Sequence, residues 1–449
     1  MRSRKYLARL RMLSILGVFV LAMAVAGGCG SDDDGGGSGG GDSALAKGTP
    51  NEEMSQDEAV DVGLKYVGGT KGAADSAKSP IGIGLINQDT GVNAYPETTE
   101  VHKAAIKFVN EYLGGVNGHP LKLIHPQGCN ASTGDAATIC ANELLNDDAV
   151  NVISVGWLNV GQAEFLSVVG KQKRVPVIAA GGPASIDEAN LPSAYFLAGG
   201  FFSSAAITYW KDYAKVKSIA QIWPGGPGVQ EFADIYATQL KAGGLDPKVV
   251  IVPPNSTDIV APLLAAKAGD KDAIEFFAGS GAQCIAAANA VEQLRLTDKL
   301  TVGYSACFNS ALKKEYPSGD IPTWTTGDVT KNLLIKDDSG QVGAMIVAMK
   351  AQAGEKWLEM LSKYYTPTYF GSVMFITKIM NEVGGDTPEY GGIVDAIKAY
   401  RGPLWTGPDK ATFGTPGLPS VGTTQQIFSK HEGGGKWTYV SPFVEGPVQ

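Results

Sequence analysis

The chain has 449 residues, with 37 Lys and Arg against 45 Asp and Glu, a formal net charge of −8 and a pI near 5.2. That balance argues against a nucleic-acid binder, which presents a basic face, and the length suggests two or three domains. No apolar run after residue 26 is long enough to cross a bilayer, so the body reads as exported and soluble apart from any lipid.

Arg2, Arg4, Lys5, Arg9 and Arg11 precede an apolar run from Met12 to Ala26. The run is shorter than the roughly 20 residues that span a hydrocarbon core. A basic start, a short apolar middle and small residues before a break describe a secretory signal over 1–28. Ala26, Gly27 and Gly28 lead into Cys29, and this junction resembles the lipobox of bacterial lipoproteins. The resemblance implies lipid on Cys29 and anchoring at the outer face of the bacterial cytoplasmic membrane. The plainer alternative is an ordinary signal peptide with a stray cysteine. Residues 29–50 are rich in Gly and Asp and read as a tether. Such a chain of ~20 residues reaches about 25 Å. Residues 51–79 read as an appendage in which Asp57–Tyr66 can form one helix.

From Ile81 the pattern alternates between short apolar runs and helical periods. Ile81–Ile86, Leu121–Ile124, Val150–Val155 and Val175–Ala179 read as strands. Thr98–Leu113, Ala136–Asn146 and Gln162–Lys171 read as helices. Near-continuous apolar strands alternating with helices predict a parallel sheet covered on both faces. The pattern restarts after Tyr195–Gly199. Strands are expected at Ser218–Ile222, Val249–Val252, Ile274–Ala278 and Leu300–Val302. Helices are expected at Ala205–Ala214, Val229–Ala242, Ile259–Ala268 and Ile285–Leu294. Beyond them, Gly343–Ala353 and Phe370–Val383 read as long helices, 401–420 as loops, and Gln425–Ser429 with Lys436–Val440 as a β-hairpin.

There are five cysteines, an odd number that sets Cys29 apart in an exported protein. The other four allow three pairings. Cys129–Cys140 with Cys284–Cys307 closes two short loops, each stabilising by roughly 3 kcal/mol in the chain-entropy model, and is favoured. Neither pair has metal-site spacing and no His lies close in sequence, so no metal or other cofactor is expected.

Open parallel sheets bind ligands outside the carboxyl ends of their strands. The loops there supply the candidate ligand-binding residues: Asp89 and Tyr95; Trp157, Leu158 and Asn159; Gly181, Gly182 and Pro183; Trp223 and Pro227; Ser280 and Gly281; Tyr304 and Ser305. Glycine permits close backbone approach, and apolar walls with few polar anchors suit a small molecule.

"IGIGLINQDTGVNAYPE", "GGVNGHPLKLI" and "LLNDDAVNVISVGWLNVGQAEFLSVVGKQKRVPVIAAGGPAS" resemble successive blocks of the leucine/isoleucine/valine-type solute-binding proteins of ABC importers. The resemblance runs from about residue 80 to 443. It implies an α/β fold of two doubly wound parallel-sheet lobes joined by a three-crossing hinge, the type I periplasmic binding protein fold. Lobe I would comprise 80–200 and 327–420, and lobe II 201–326 and 421–443. It also implies a small-molecule ligand trapped by closure and a membrane permease with two ATPase subunits as partners; the sequence does not fix the oligomeric state, and a monomer is expected. In that family the loop after the first strand offers an aromatic, the place held here by Tyr95. The family's carboxylate-holding loops correspond to Trp157, Leu158, Asn159 and Gly181, Gly182, Pro183, largely without hydroxyls. Where a glutamate would take the ligand's ammonium, Tyr304, Ser305 and Ala306 stand instead. These departures point away from a free α-amino acid and toward an amide or aromatic compound.

Two rival classes stand against this reading. An enzyme is disfavoured: "GYSAC" at 303–307 lacks the second glycine of a hydrolase elbow, and Gly82-Ile-Gly84 falls inside a strand rather than after it. His102, His119, His125 and His431 are dispersed, and His102 falls on the polar side of its helix, where it reads as solvated. A lipid-anchored sensor of the same fold would need a separate signalling partner.

Overall fold

A computed structural model describes residues 49–90, 94–125, 128–158, 160–199, 205–225, 229–254, 256–277, 281–303, 324–357, 366–433 and 436–446. Cys29, Asn159, Pro227, Ser280, Tyr304, Ser305 and Cys307 lie outside these residues, as do the expected signal and nearly all of the tether. The chain divides into Met1–Gly41 and Asp42–Gln449, and every described residue belongs to the second unit.

Helix α1 (Gln56–Val67) begins at a reciprocal cap, where the Glu58 amide donates to the Ser55 hydroxyl and the Ser55 amide donates to the Glu58 carboxylate. It ends at Gly68, whose φ of 69° suits glycine. The first sheet comes next. Its strands are β1 (Ile81–Asn87), β2 (Leu121–Leu123), β3 (Cys129–Asn130), β4 (Val152–Val155), β5 (Val177–Ala179) and β6 (Ala194–Phe196). The order is β2-β1-β4-β5-β6, all parallel, with β3 paired to the end of β1. The intervening helices are α2 (Glu97–Tyr112), α3 (Gly134–Asn146), α4 (Gln162–Val169) and the short α5 (Ile186–Ala189). Gly82 is needed for packing: a Cβ there would lie 1.8 Å from the Ala149 carbonyl oxygen.

The second sheet contains β7 (Ser218–Pro224), β8 (Asp246–Val252), β9 (Ala273–Phe276), β10 (Leu300–Gly303) and β11 (Trp324–Asp328), mutually parallel. Its helices are α6 (Ala205–Thr208, continuing as a π turn over Tyr209–Tyr213), α7 (Val229–Ala242), α8 (Val260–Ala265) and α9 (Gly281–Gln293). The chain then supplies α10 (Gln341–Ala353), α11 (Thr366–Val383) and α12 (Tyr390–Ala399), and a small antiparallel pair, β12 (Arg401–Gly402) and β13 (Ala411–Thr412). It ends in a hairpin of β14 (Gln426–His431) and β15 (Trp437–Val444), which adds to β11 antiparallel. The full order is β15-β14-β11-β10-β9-β7-β8.

Helices α1, α2, α10 and α11 pack together on one face of the first sheet, while α3 and α4 cover the other. Phe370, Phe375 and Met374 of α11 are fully buried in the first of these cores. Each such side chain contributes roughly 1.5–3 kcal/mol by leaving water. This crowding overturns the reading of His102 as solvated. It is wholly buried, with Nδ1 2.8 Å from the Thr98 carbonyl oxygen and Nε2 2.9 Å from the Ser154 hydroxyl. The helical period exposed that face, but α11 from far along the chain covers it, and Ser372 reaches the same imidazole. The appendage is likewise packed: Ala59, Val60, Tyr66 and Val67 belong to the same core.

The Cys129–Cys140 disulfide is formed and joins β3 to α3, with Cα atoms 5.6 Å apart. Cys284 is also disulfide-bonded; its expected partner, Cys307, lies outside the described residues.

Candidate ligand-binding site

The carboxyl ends of the parallel strands in the first sheet carry a connected frame. Asn87 ends β1 and is fully buried. Its Nδ2 donates to Asp89 Oδ1 at 2.8 Å and to the Tyr95 carbonyl at 2.7 Å, and its Oδ1 accepts from the Trp157 amide at 3.0 Å. The Gln88 amide donates to the Trp157 carbonyl, and the Tyr95 amide to the Gln88 carbonyl. One side chain thus ties together the loops after β1 and β4. Gly156 allows it, since a Cβ there would sit 2.6 Å from Asn87 Oδ1.

This frame sets the rings of Tyr95 and Trp157 side by side, centroids 5.5 Å apart and planes at 59°. Both rings are half-buried. Burial, and then the Glu97 carboxylate, push the Tyr95 phenol up to about 12, so it stays a neutral hydroxyl at physiological pH. Asp89 is also half-buried, and burial raises its pKa against hydrogen bonds from Asn87 and Thr99.

The loop after β5 is fixed from behind. Gln162 Nε2 donates to the Gly182 carbonyl and to Glu188 Oε2, which also accepts from the Ala184 amide. A Cβ on Gly181 would meet nothing within 4 Å, so open space lies in front of that residue. Leu158 is turned into the core on the α3–α4 side.

In the second sheet the sequence expectation and the structure diverge. Trp223 is 5 % exposed rather than open. Its indole stacks on Phe277 and meets Tyr236 of α7 edge-on. Beneath lies Glu275 of β9, which accepts from Gln221 Nε2 at 2.7 Å and from the Tyr236 hydroxyl at 3.1 Å. Burial raises the Glu275 carboxyl to about 7 against those two hydrogen bonds. Sequence reasoning missed this pair. The signal was a Gln and a Glu interrupting otherwise apolar buried strands, "SIAQIWP" and "AIEF". Gly281 opens α9, where Gln283 donates to the Pro254 and Ser256 carbonyls and so ties the loop after β8 to that helix. A small cavity lies elsewhere, lined by Leu197, Ala198, Val329, Thr330, Thr368 and Trp405 among others.

Two parallel α/β sheets with glycine-bearing, aromatic strand-end loops define the two-lobed ligand-binding architecture. The family model described as periplasmic binding protein matches residues 80–416, and the chain belongs to that family. No curated protein matches the sequence significantly. Among solved structures, the chain is similar to the leucine-binding protein LivK of Thermotoga maritima, with 12 % identity and a TM-score of 0.61 over 81 % of this chain and 99 % of that one. It is similar to a solute-binding protein of an ABC transporter from Rhodopseudomonas palustris BisB5, solved with 3,4-dihydroxybenzoic acid, at 16 % identity and TM-score 0.62 over 82 % and 99 %. It is also similar to a fatty acid ABC transporter substrate-binding protein from Thermomonospora curvata, at 13 % and 0.63 over 85 % and 96 %. At these identities the likeness establishes the fold: two parallel-sheet α/β lobes of the type I periplasmic binding protein kind. Membership of the family implies an exported protein, and no helix among the described residues is long and apolar enough to cross a membrane.

Proposed function

We propose that this chain is the extracytoplasmic substrate-binding protein of an ABC importer. It captures a small organic solute by closure of two lobes and delivers it to a membrane permease, without catalysing a reaction. The observation that carries this reading is the Tyr95–Trp157 pair held on Asn87 at the strand ends of the first sheet. Two aromatic rings tilted toward one another beside one carboxylate and backbone amides suit an apolar solute with few polar groups. The benzoate-type ligand of one structural neighbour agrees with such a solute. A ligand touching both lobes favours the closed form by its differential affinity. Cys29 carries the lipid that holds the protein beside its permease, and the tether raises its concentration there.

The remaining candidates fit this reading by place: Asp89, Gly181, Gly182 and Pro183 with the first sheet, and Gly281 with the second. Mass spectrometry of the small molecule that copurifies with the protein identifies the ligand. Calorimetric titration with benzoate, 4-hydroxybenzoate and the twenty amino acids tests the class. Micromolar binding of leucine or valine would overturn it. Incorporation of labelled palmitate, abolished by Cys29→Ser, tests the anchor.

A further inference from the structure

The loop after β1 is held not only by Asn87 but also by its register partner Asn130, a residue outside the expected ligand set. Asn130 Oδ1 accepts from the backbone amides of Asp89 at 3.0 Å and Thr90 at 3.3 Å, and its Nδ2 donates to the Thr90 hydroxyl at 2.7 Å. Asn130 belongs to β3, a strand of two residues whose register with β1 is only Ile86 to Cys129 and Asn87 to Asn130. One further hydrogen bond, from the Ala131 amide to the Asn87 carbonyl, continues the contact. So short a strand has few bonds of its own to hold it. The residue beside Asn130 is Cys129, whose disulfide to Cys140 fastens β3 to the middle of α3.

We infer that Asn130 is a positioning residue for the ligand loop and that the Cys129–Cys140 disulfide is the clamp that sets it. The covalent link fixes β3 against α3. Asn130 then presents its amide to the loop, and Asp89 takes its place between Asn130 and Asn87. Because Asn87 also bonds the Tyr95 carbonyl and the Trp157 amide, displacement of Asp89 is felt at the aromatic pair. The sites where side chains meet ligand depend on such supporting groups being locked. This inference rests on the reading of the loop as ligand-binding, and the experiment has one arm for each.

The first arm is hydrogen–deuterium exchange on the full chain, comparing wild type, Asn130→Ala, Thr90→Ala and the double variant Cys129→Ala/Cys140→Ala. The expected result is at least tenfold faster exchange at the Asp89 and Thr90 amides in Asn130→Ala and in the double cysteine variant. Thr90→Ala, which keeps both amide bonds, shows little change, and peptides of the second sheet are unaffected. Unchanged protection at Asp89 and Thr90, or equal acceleration across the whole first sheet, overturns the inference. The second arm is titration with 4-hydroxybenzoate, in which Asn130→Ala raises Kd at least tenfold. Faster loop exchange with an unaltered Kd also overturns it. A wild type that binds neither 4-hydroxybenzoate nor any other small organic solute overturns the functional reading alone, and the exchange arm still decides whether Asn130 and the disulfide set the loop.

Discussion

Trp223 lies flat on Phe277, with ring centroids 3.5 Å apart and planes 12° from parallel. The stack joins the ends of two neighbouring strands, β7 and β9, and Tyr236 closes it from α7. It is a packed element of the second sheet's core edge rather than an open ligand platform. Trp223→Ala is therefore expected to cost about 3–5 kcal/mol of stability, read as a lower urea midpoint. Trp223→Phe, which keeps a ring on Phe277, is expected to lose less. A Trp223→Ala protein of unchanged midpoint would contradict the packing role.

Glu275 gives stability a pH dependence of a particular sign. Its carboxyl is raised from the ordinary 4.5 to about 7, so between those values the folded protein holds a proton that the unfolded chain has released. Its contribution is complete below pH 4.5 and is lost as pH rises through 7, a loss of roughly 3 kcal/mol. Gln221 Oε1, buried with no partner among the described residues, can accept that proton's hydrogen bond once its amide is turned. Urea midpoints from pH 5 to 8 are expected to fall in wild type more steeply than in Glu275→Gln. Equal slopes would refute the assignment.

His102 acts in the opposite sense. Burial lowers its pKa from 6.5 to about 4, against the hydrogen bond to the Thr98 carbonyl, which favours the protonated ring. Stability from the neutral ring is present above pH 6.5 and is lost as pH falls through 4. Its imidazole carbon and nitrogen resonances are expected to stay at neutral-ring positions down to pH 5. Titration of His102 near pH 6.5 in the folded state would show the burial to be wrong.

Asn51 is a fourth test, a clamp on the chain that follows β11. Its Nδ2 donates to the Leu333 and Ile335 carbonyls at 3.1 and 2.8 Å, and its Oδ1 accepts from the Asp337 amide at 2.8 Å. Asn51→Ala leaves the buried Asp337 amide without that acceptor, at a cost of about 1–3 kcal/mol. Thermal unfolding is expected to show the loss, with solute affinity unchanged because none of the bonds of this clamp involves Tyr95, Trp157 or Asn87.

The alternating layout was legible because parallel strands buried on both faces write themselves as apolar runs. Ile81–Asn87 and Val229–Ala242 stand within a residue of where the pattern put them. What the pattern concealed depends on distant partners. His102 is covered by α11 more than 260 positions later in the chain, a fact no local period carries. β3 is too short for any period to mark, and β11, "WTTGD", has the hydroxyls of a surface strand yet is buried. At the candidate site, Tyr95 and Trp157 were named from their loops, and the structure sets their rings side by side. Asn87, Asn130, Gln221 and Glu275 were missed because their work is done through hydrogen bonds to neighbours, which composition cannot display.

The closing hairpin has a consequence for how the molecule is made. Thr325 pairs with Lys430 and Asp328 with Ile427, so the second sheet waits for a partner emerging about a hundred residues later. Until then the edge of β11 stays open, and such distant pairings form slowly. Trimming the chain before Gln426 would therefore leave the β11 edge permanently bare, a row of unpaired amides and carbonyls that invites pairing with another chain rather than a slightly smaller protein.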